Sequence, residues 1–177
     1  MKKLLKQKNK GFTIIESLVA ITILVVAVIG ATSAVQTGIS SYIFSKDQIT
    51  AFYLAQEGLE QLRNIRDENH LNDNDWLAGI AQNSDDPCYF GEACTVSPVE
   101  TSATIHCSSI GSCPFLREDE STGFFGYDAS WPLTKFKREI VLTSVNADEI
   151  SAQVTVSWSK GLITRHFEAR ESILNWQ

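Results

Sequence analysis

Chemistry in this 177-residue chain has to come from its carboxylates, its four cysteines and its three histidines, and one carboxylate stands where ordinary proteins place none. Glu16 follows Phe12-Thr13-Ile14-Ile15, and the run behind it, Leu18 to Val35, contains no charged residue. A carboxylate near the middle of a membrane costs on the order of 2.5–3.5 kcal/mol, so it is normally paired and functional. The alternative for a group so near the start of the run is that it snorkels to the surface. Cys88 and Cys94 form one close couple, Cys107 and Cys113 another. Two bridges are expected, but four cysteines allow three connectivities and their spacing does not choose among them. A four-thiolate zinc site would want shorter gaps. His70, His106 and His166 are scattered, and neither a Gly-x-Ser-x-Gly elbow nor a phosphate loop occurs. No catalytic residue is therefore assigned, and the chain is expected not to be an enzyme. The acidic stretch from Asp67 to Asp75 fits no register of an EF-hand loop and reads as solvated loop, so no metal ligand and no cofactor is assigned either.

The elements that must carry these groups follow from hydropathy. Lys2, Lys3, Lys6, Lys8 and Lys10 precede Gly11, after which Phe12 to Val35 (12–35) is long enough to span a hydrocarbon core of roughly 30 Å as a helix. The lysines place their flank in the cytoplasm and the remainder outside, where disulfides persist. The sequence turns amphipathic over 36–66, with Ile49, Phe52, Leu59, Leu62 and Ile65 as its apolar stripe. A single helix from Phe12 to about Arg66 would be on the order of 80 Å long, with Gly30, Gly38 and Gly58 as bend or close-packing points. Residues 67–134 read as a loop region with a turn at Trp76-Leu77-Ala78-Gly79-Ile80, stapled by bridges contributing about 2–4 kcal/mol each. Phe124-Phe125-Gly126-Tyr127 and Trp131 close it and are expected to cover a core. Residues 135–177 alternate with period two, best over Ile150, Ala152, Val154, Val156 and Trp158, and read as an antiparallel meander. The fold class is α+β: a long N-terminal helix, membrane-spanning in its first half, packed on a C-terminal antiparallel sheet of three or four strands.

Charge narrows the partners. The net charge is −6, but five of the 15 Lys and Arg lie in the first ten residues and all 21 acidic residues lie after Gly11, so the chain beyond Gly11 carries 10 − 21 = −11. Such a body is a poor match for nucleic-acid phosphate.

The order Lys10-Gly11-Phe12-Thr13-Ile14-Ile15-Glu16-Ser17-Leu18-Val19-Ala20 closely resembles the type IV prepilin motif. The resemblance implies cleavage between Gly11 and Phe12 by a prepilin peptidase, methylation of the new Phe12 amine, and a pilin fold. It also implies that Glu16, then the fifth residue, pairs with the N-terminal amine of a neighbouring subunit. Ala51 to Glu60, Arg63 to Asp67, Phe136 to Ile140, Val154 to Trp158 and Asn175-Trp176 are similar to minor pilins of the PilV kind and to secretion pseudopilins. By that resemblance the chain is a minor pilin of a type IV pilus-like filament. It would be held in the cytoplasmic membrane before assembly, with its C-terminal domain outside, and later lie in a filament or at the cell surface. Its partners would be other pilin subunits, the peptidase/N-methyltransferase, an inner-membrane assembly platform and lipid. A pseudopilin of a type II secretion or competence system is the nearest alternative, and a membrane-anchored adhesin using the loop from Pro87 to Leu133 is one of another class. Glu16→Ala should leave cleavage largely intact and impair incorporation into filaments, as read by immunoblot of the processed chain and of sheared filaments; unchanged incorporation would remove the case for pairing.

Overall fold

The structure, a computed structural model, describes residues 11–98 and 104–176. Its secondary structure is one helix, α1 (Ile14–Leu71), followed by strands β1 (Ala93–Val96), β2 (Thr104–His106), β3 (Phe115–Glu118), β4 (Phe125–Gly126), β5 (Leu133–Asn146), β6 (Glu149–Lys160) and β7 (Ile163–Leu174). The chain divides into two compact units, Met1–Lys46 and Asp47–Gln177. The five leader lysines lie outside the described residues.

In the first unit α1 is capped at its start. Thr13 accepts the Glu16 backbone N–H on Oγ1 at 3.3 Å and the Ser17 N–H on its carbonyl at 3.1 Å, so Thr13 is the N-cap and Glu16 sits in the first turn, at the positive end of the helix dipole. From Ile14 to Ile29 the large side chains are exposed all round, Val25 least at 46%. A helix apolar on every side finds its natural surroundings in lipid or among other helices rather than in water.

In the second unit α1 becomes one-sided. Asp47, Ala51, Leu54, Ala55, Gly58, Leu59 and Leu62 are buried, the three-and-four spacing of one helix face. This shifts the expected stripe: Leu59 and Leu62 are on it, but Ile49 is 57% exposed and Phe52 stands at its rim, edge-on to Phe167 at 5.6 Å. The helix also outlasts its expected end near Arg66. Asn74 N–H donates to the Asn69 carbonyl and Asp73 N–H to that of His70, with Asp73 at φ 53°, which is a Schellman cap with an aspartate in the left-handed position usually taken by glycine. The polar run that reads as loop is thus partly the cap itself.

The sheet is larger than the expected three or four strands: seven are present among the described residues, and four lie within 67–134, read from sequence as loop. β5 is central. β6 pairs along one edge of it, from Phe136↔Trp158 to Asn146↔Glu149. β1 and β3 share the other edge, with Cys94↔Ile140 and Phe115↔Lys137. β7 pairs with β6 throughout, and all these pairings are antiparallel. The inward face carries Ile140 and Leu142 of β5, the expected alternation of β6 from Ile150 to Trp158, and Ile173 of β7. Trp76, Leu77, Ile80 and Ala81 close the same core from the turns after the helix. Each fully buried aliphatic there contributes about 1.5–3 kcal/mol. The α+β architecture read from sequence, a long helix packed on a C-terminal antiparallel sheet, is the one observed.

Candidate functional site

Two places gather the groups that sequence or structure singles out. The first is the start of the chain. Gly11 and Phe12 precede the helix in irregular backbone, both exposed, and no atom comes within 4 Å of where a Gly11 Cβ would stand. Among the described residues nothing packs against this Gly11 position. The Glu16 carboxylate is exposed and forms no ion pair among the described residues. The cap uses the Glu16 backbone N–H and not this carboxylate, which leaves the charge available to another group.

The second place is where sequence reasoning missed a residue. Arg138 lies on β5 between Phe136 and Ile140, in the parity that faces the core, and it is 0% exposed. A guanidinium cannot be stripped of water without replacement partners. Nη1 donates to the Leu54 carbonyl of α1 at 3.1 Å and pairs with Glu57 Oε2 at 3.3 Å, while Nη2 donates to the Val96 carbonyl of β1. Nε has no hydrogen-bond partner among the described residues. Gly58 makes room for the side chain, since a Cβ there would stand 3.1 Å from Arg138 Cδ and 3.4 Å from Val154 Cγ1. Of the three glycines expected to matter in the helix, this one is a close-packing point, whereas Gly30 and Gly38 face open space. The signal in the sequence was parity: in Phe136-Lys137-Arg138-Glu139-Ile140, period two puts the arginine on the inside.

The surroundings respond electrostatically. Burial pushes the Glu57 carboxyl above its usual range, against the attraction of Arg138, so desolvation outweighs pairing at this rim position. Burial likewise raises the Tyr127 phenol, which shares a 2.6 Å hydrogen bond with Thr95 Oγ1. A second tie, Lys135 Nζ to Asp47 at 2.6 Å, fixes the beginning of this half of α1 to the beginning of β5. Arg63 to Glu171 and Arg66 to the Leu174 carbonyl fix its end to β7. This arrangement clamps a helix to a sheet.

The cysteines pair within each close couple, Cys88–Cys94 and Cys107–Cys113, with Cα separations of 5.0 and 4.9 Å. Cys88 and Cys94 join the main core, while Cys107 and Cys113 pack with Ala93. The second bridge closes a loop that overhangs the outer face of the sheet, where Lys137, Glu139, Thr155, Ser157 and His166 help line a cleft of about 250 Å³. His106 lies 3.7 Å from Glu92, and the three histidines occupy separate parts of the unit. Asp119 and Asp128 are held below the usual carboxylate range by hydrogen bonds from Ser121 and Thr122, and from Ser130, as self-contained turns of the loop.

The raised Glu57 carboxyl makes stability depend on pH with a definite sign. The folded state holds that proton more tightly than the unfolded chain, so Glu57 lowers stability as pH rises from the ordinary glutamate range through the folded value. Glu57→Gln abolishes this, and the Tm of the variant relative to wild type should climb across that window in thermal unfolding of the detergent-solubilised chain. A difference independent of pH would contradict it.

Residues 6–32 match the family model described as the prokaryotic N-terminal methylation motif. No curated protein and no solved structure matches the chain. The start of the chain is therefore a type IV pilin-like leader, joined to the apolar helix of a pilin-like α+β architecture.

Proposed function

We propose that this chain is a structural, non-enzymatic minor pilin of a type IV pilus-like filament, of the PilV kind. A prepilin peptidase cuts between Gly11 and Phe12 on the cytoplasmic side, the Phe12 amine is methylated, and an assembly platform draws the subunit from the membrane into a filament. The protonated α-amine of one subunit neutralises Glu16 of another, which removes the cost of carrying a carboxylate into an apolar helix bundle. The observation that carries this reading is the coincidence of the methylation motif at residues 6–32 with a helix that is apolar all round from Ile14 to Ile29 and continues to Leu71. A plain anchor needs neither Glu16 nor a cleavable glycine on the lysine side. A pseudopilin of a type II secretion or competence system would use the same chemistry in another machine. The outer-face cleft under the Cys107–Cys113 loop favours a second reading, an anchored binding module, in which deletion of the loop abolishes adhesion and spares filaments.

Mass spectrometry of the mature protein tests the proposal. A chain beginning at N-methylated Phe12 is expected; an intact leader, or a cut beyond Val35, would overturn it.

A further inference from the structure

We propose that the β6–β7 turn, Lys160-Gly161-Leu162-Ile163, inserts Leu162 into the surface of the bilayer that holds the chain's own apolar helix before assembly. The inference rests on the reading of Phe12 to Val35 as a membrane span.

The turn is built to present this side chain. Lys160 pairs with Ile163, leaving Gly161 and Leu162 as a two-residue loop. Gly161 has φ 64° and Leu162 does not have a positive φ, the pattern of a type II′ hairpin turn. The Ser159 and Thr164 hydroxyls close the hairpin at 3.0 Å. Leu162 is fully exposed and Ile163 is 61% exposed. Turns ordinarily carry polar residues, and the core has no use for either side chain here.

The location identifies the partner. Within the second unit three contacts set β7 alongside α1: Phe52 with Phe167, Arg63 with Glu171, and Arg66 with Leu174. The spans agree, since α1 rises about 21 Å from Phe52 to Arg66 and β7 about 23 Å from Phe167 to Leu174. Ile163 therefore lies at the end where this half of α1 begins, as the Lys135–Asp47 bond and the Phe136↔Trp158 pair independently require. That is the end from which the chain leads back to the apolar run, and only eleven residues lie between Val35 and Asp47 in sequence.

The opposite end of β6 makes the contrast. Its turn, Asn146-Ala147-Asp148-Glu149, is polar and acidic. The leucine thus sits at the anchor end and the carboxylates at the far end. Lys160 can lay its stem along the apolar boundary and reach the headgroups. The acidic turn at Asp119 is also at the anchor end, across β5, so insertion of the leucine rather than overall charge carries the contact.

The test uses the full chain reconstituted in phosphatidylcholine vesicles. Because the four native cysteines are bridged, Leu162→Cys, Asp148→Cys and Val25→Cys each offer one thiol for an environment-sensitive fluorophore, probed with nitroxide-bearing lipids. The proposal requires lipid quenching at positions 162 and 25 and none at 148. Quenching at 25 with 162 as dark to lipid as 148 overturns it while leaving the span intact. Blue-shifted emission at 162 without lipid quenching also overturns it, in favour of contact with a second copy. Absence of quenching at 25 overturns the membrane reading and this inference with it.

Discussion

One buried cation organises the second half of this molecule. Arg138 gives up all its hydration on the inner face of β5, and the protein compensates with two backbone carbonyls from different elements and one carboxylate at the rim. Because the carbonyls belong to α1 and β1, the requirement to satisfy one guanidinium dictates the approach of the helix to the sheet and the seating of the disulfide-bearing strand beside β5. Gly58 is the steric counterpart of this demand. A buried pair of this kind adds little net stability compared with apolar packing, but removing one partner costs about 3–5 kcal/mol, so it selects one arrangement more than it deepens it.

The consequence for function lies in what the clamp leaves alone. From Asp47 onward α1 spends one face on its own sheet, held at Lys135, Arg138, Glu171 and the Leu174 carbonyl. From Ile14 to Ile29 the large apolar side chains of the same helix are exposed, open to lipid or to the helices of other subunits. The precursor proposed above, held first in a bilayer and later among protein neighbours, would use this division. Glu16 belongs to that exposed half, as the third helical residue after the Thr13 cap.

Much of this was legible in the sequence because it depends on periodicity. The alternation of β6 names its inward residues without error, since a strand with one buried face has no freedom to do otherwise. The motif around Gly11, Phe12 and Glu16 is local, and local signals survive without knowledge of tertiary contacts. What escaped was non-local or depended on polar residues acting against type. Arg138 breaks the apolar pattern at an inward position, and only partners 42 and 84 residues away in sequence make it tolerable. The short strands β1 to β4 are two to four residues long and are defined by pairing rather than by pattern. The stripe of α1 slipped toward Ala51, Leu54 and Ala55 because close packing on the sheet prefers small residues at the centre and moves large Phe52 to the rim. Asp73 in a left-handed cap hid the last turn of the helix behind a run of loop formers.

The central claim is that Arg138 is the tie between helix and sheet, and amide hydrogen exchange on the Arg138→Ala variant of the full chain in detergent tests it most directly. The account predicts that amides of Ala51 to Leu62 lose protection by roughly tenfold or more while those of Ile150 to Trp158 keep most of theirs, because the strands retain their own ladder when the clamp is cut. Unchanged protection in the helix, or an equal loss in helix and strands, would contradict it.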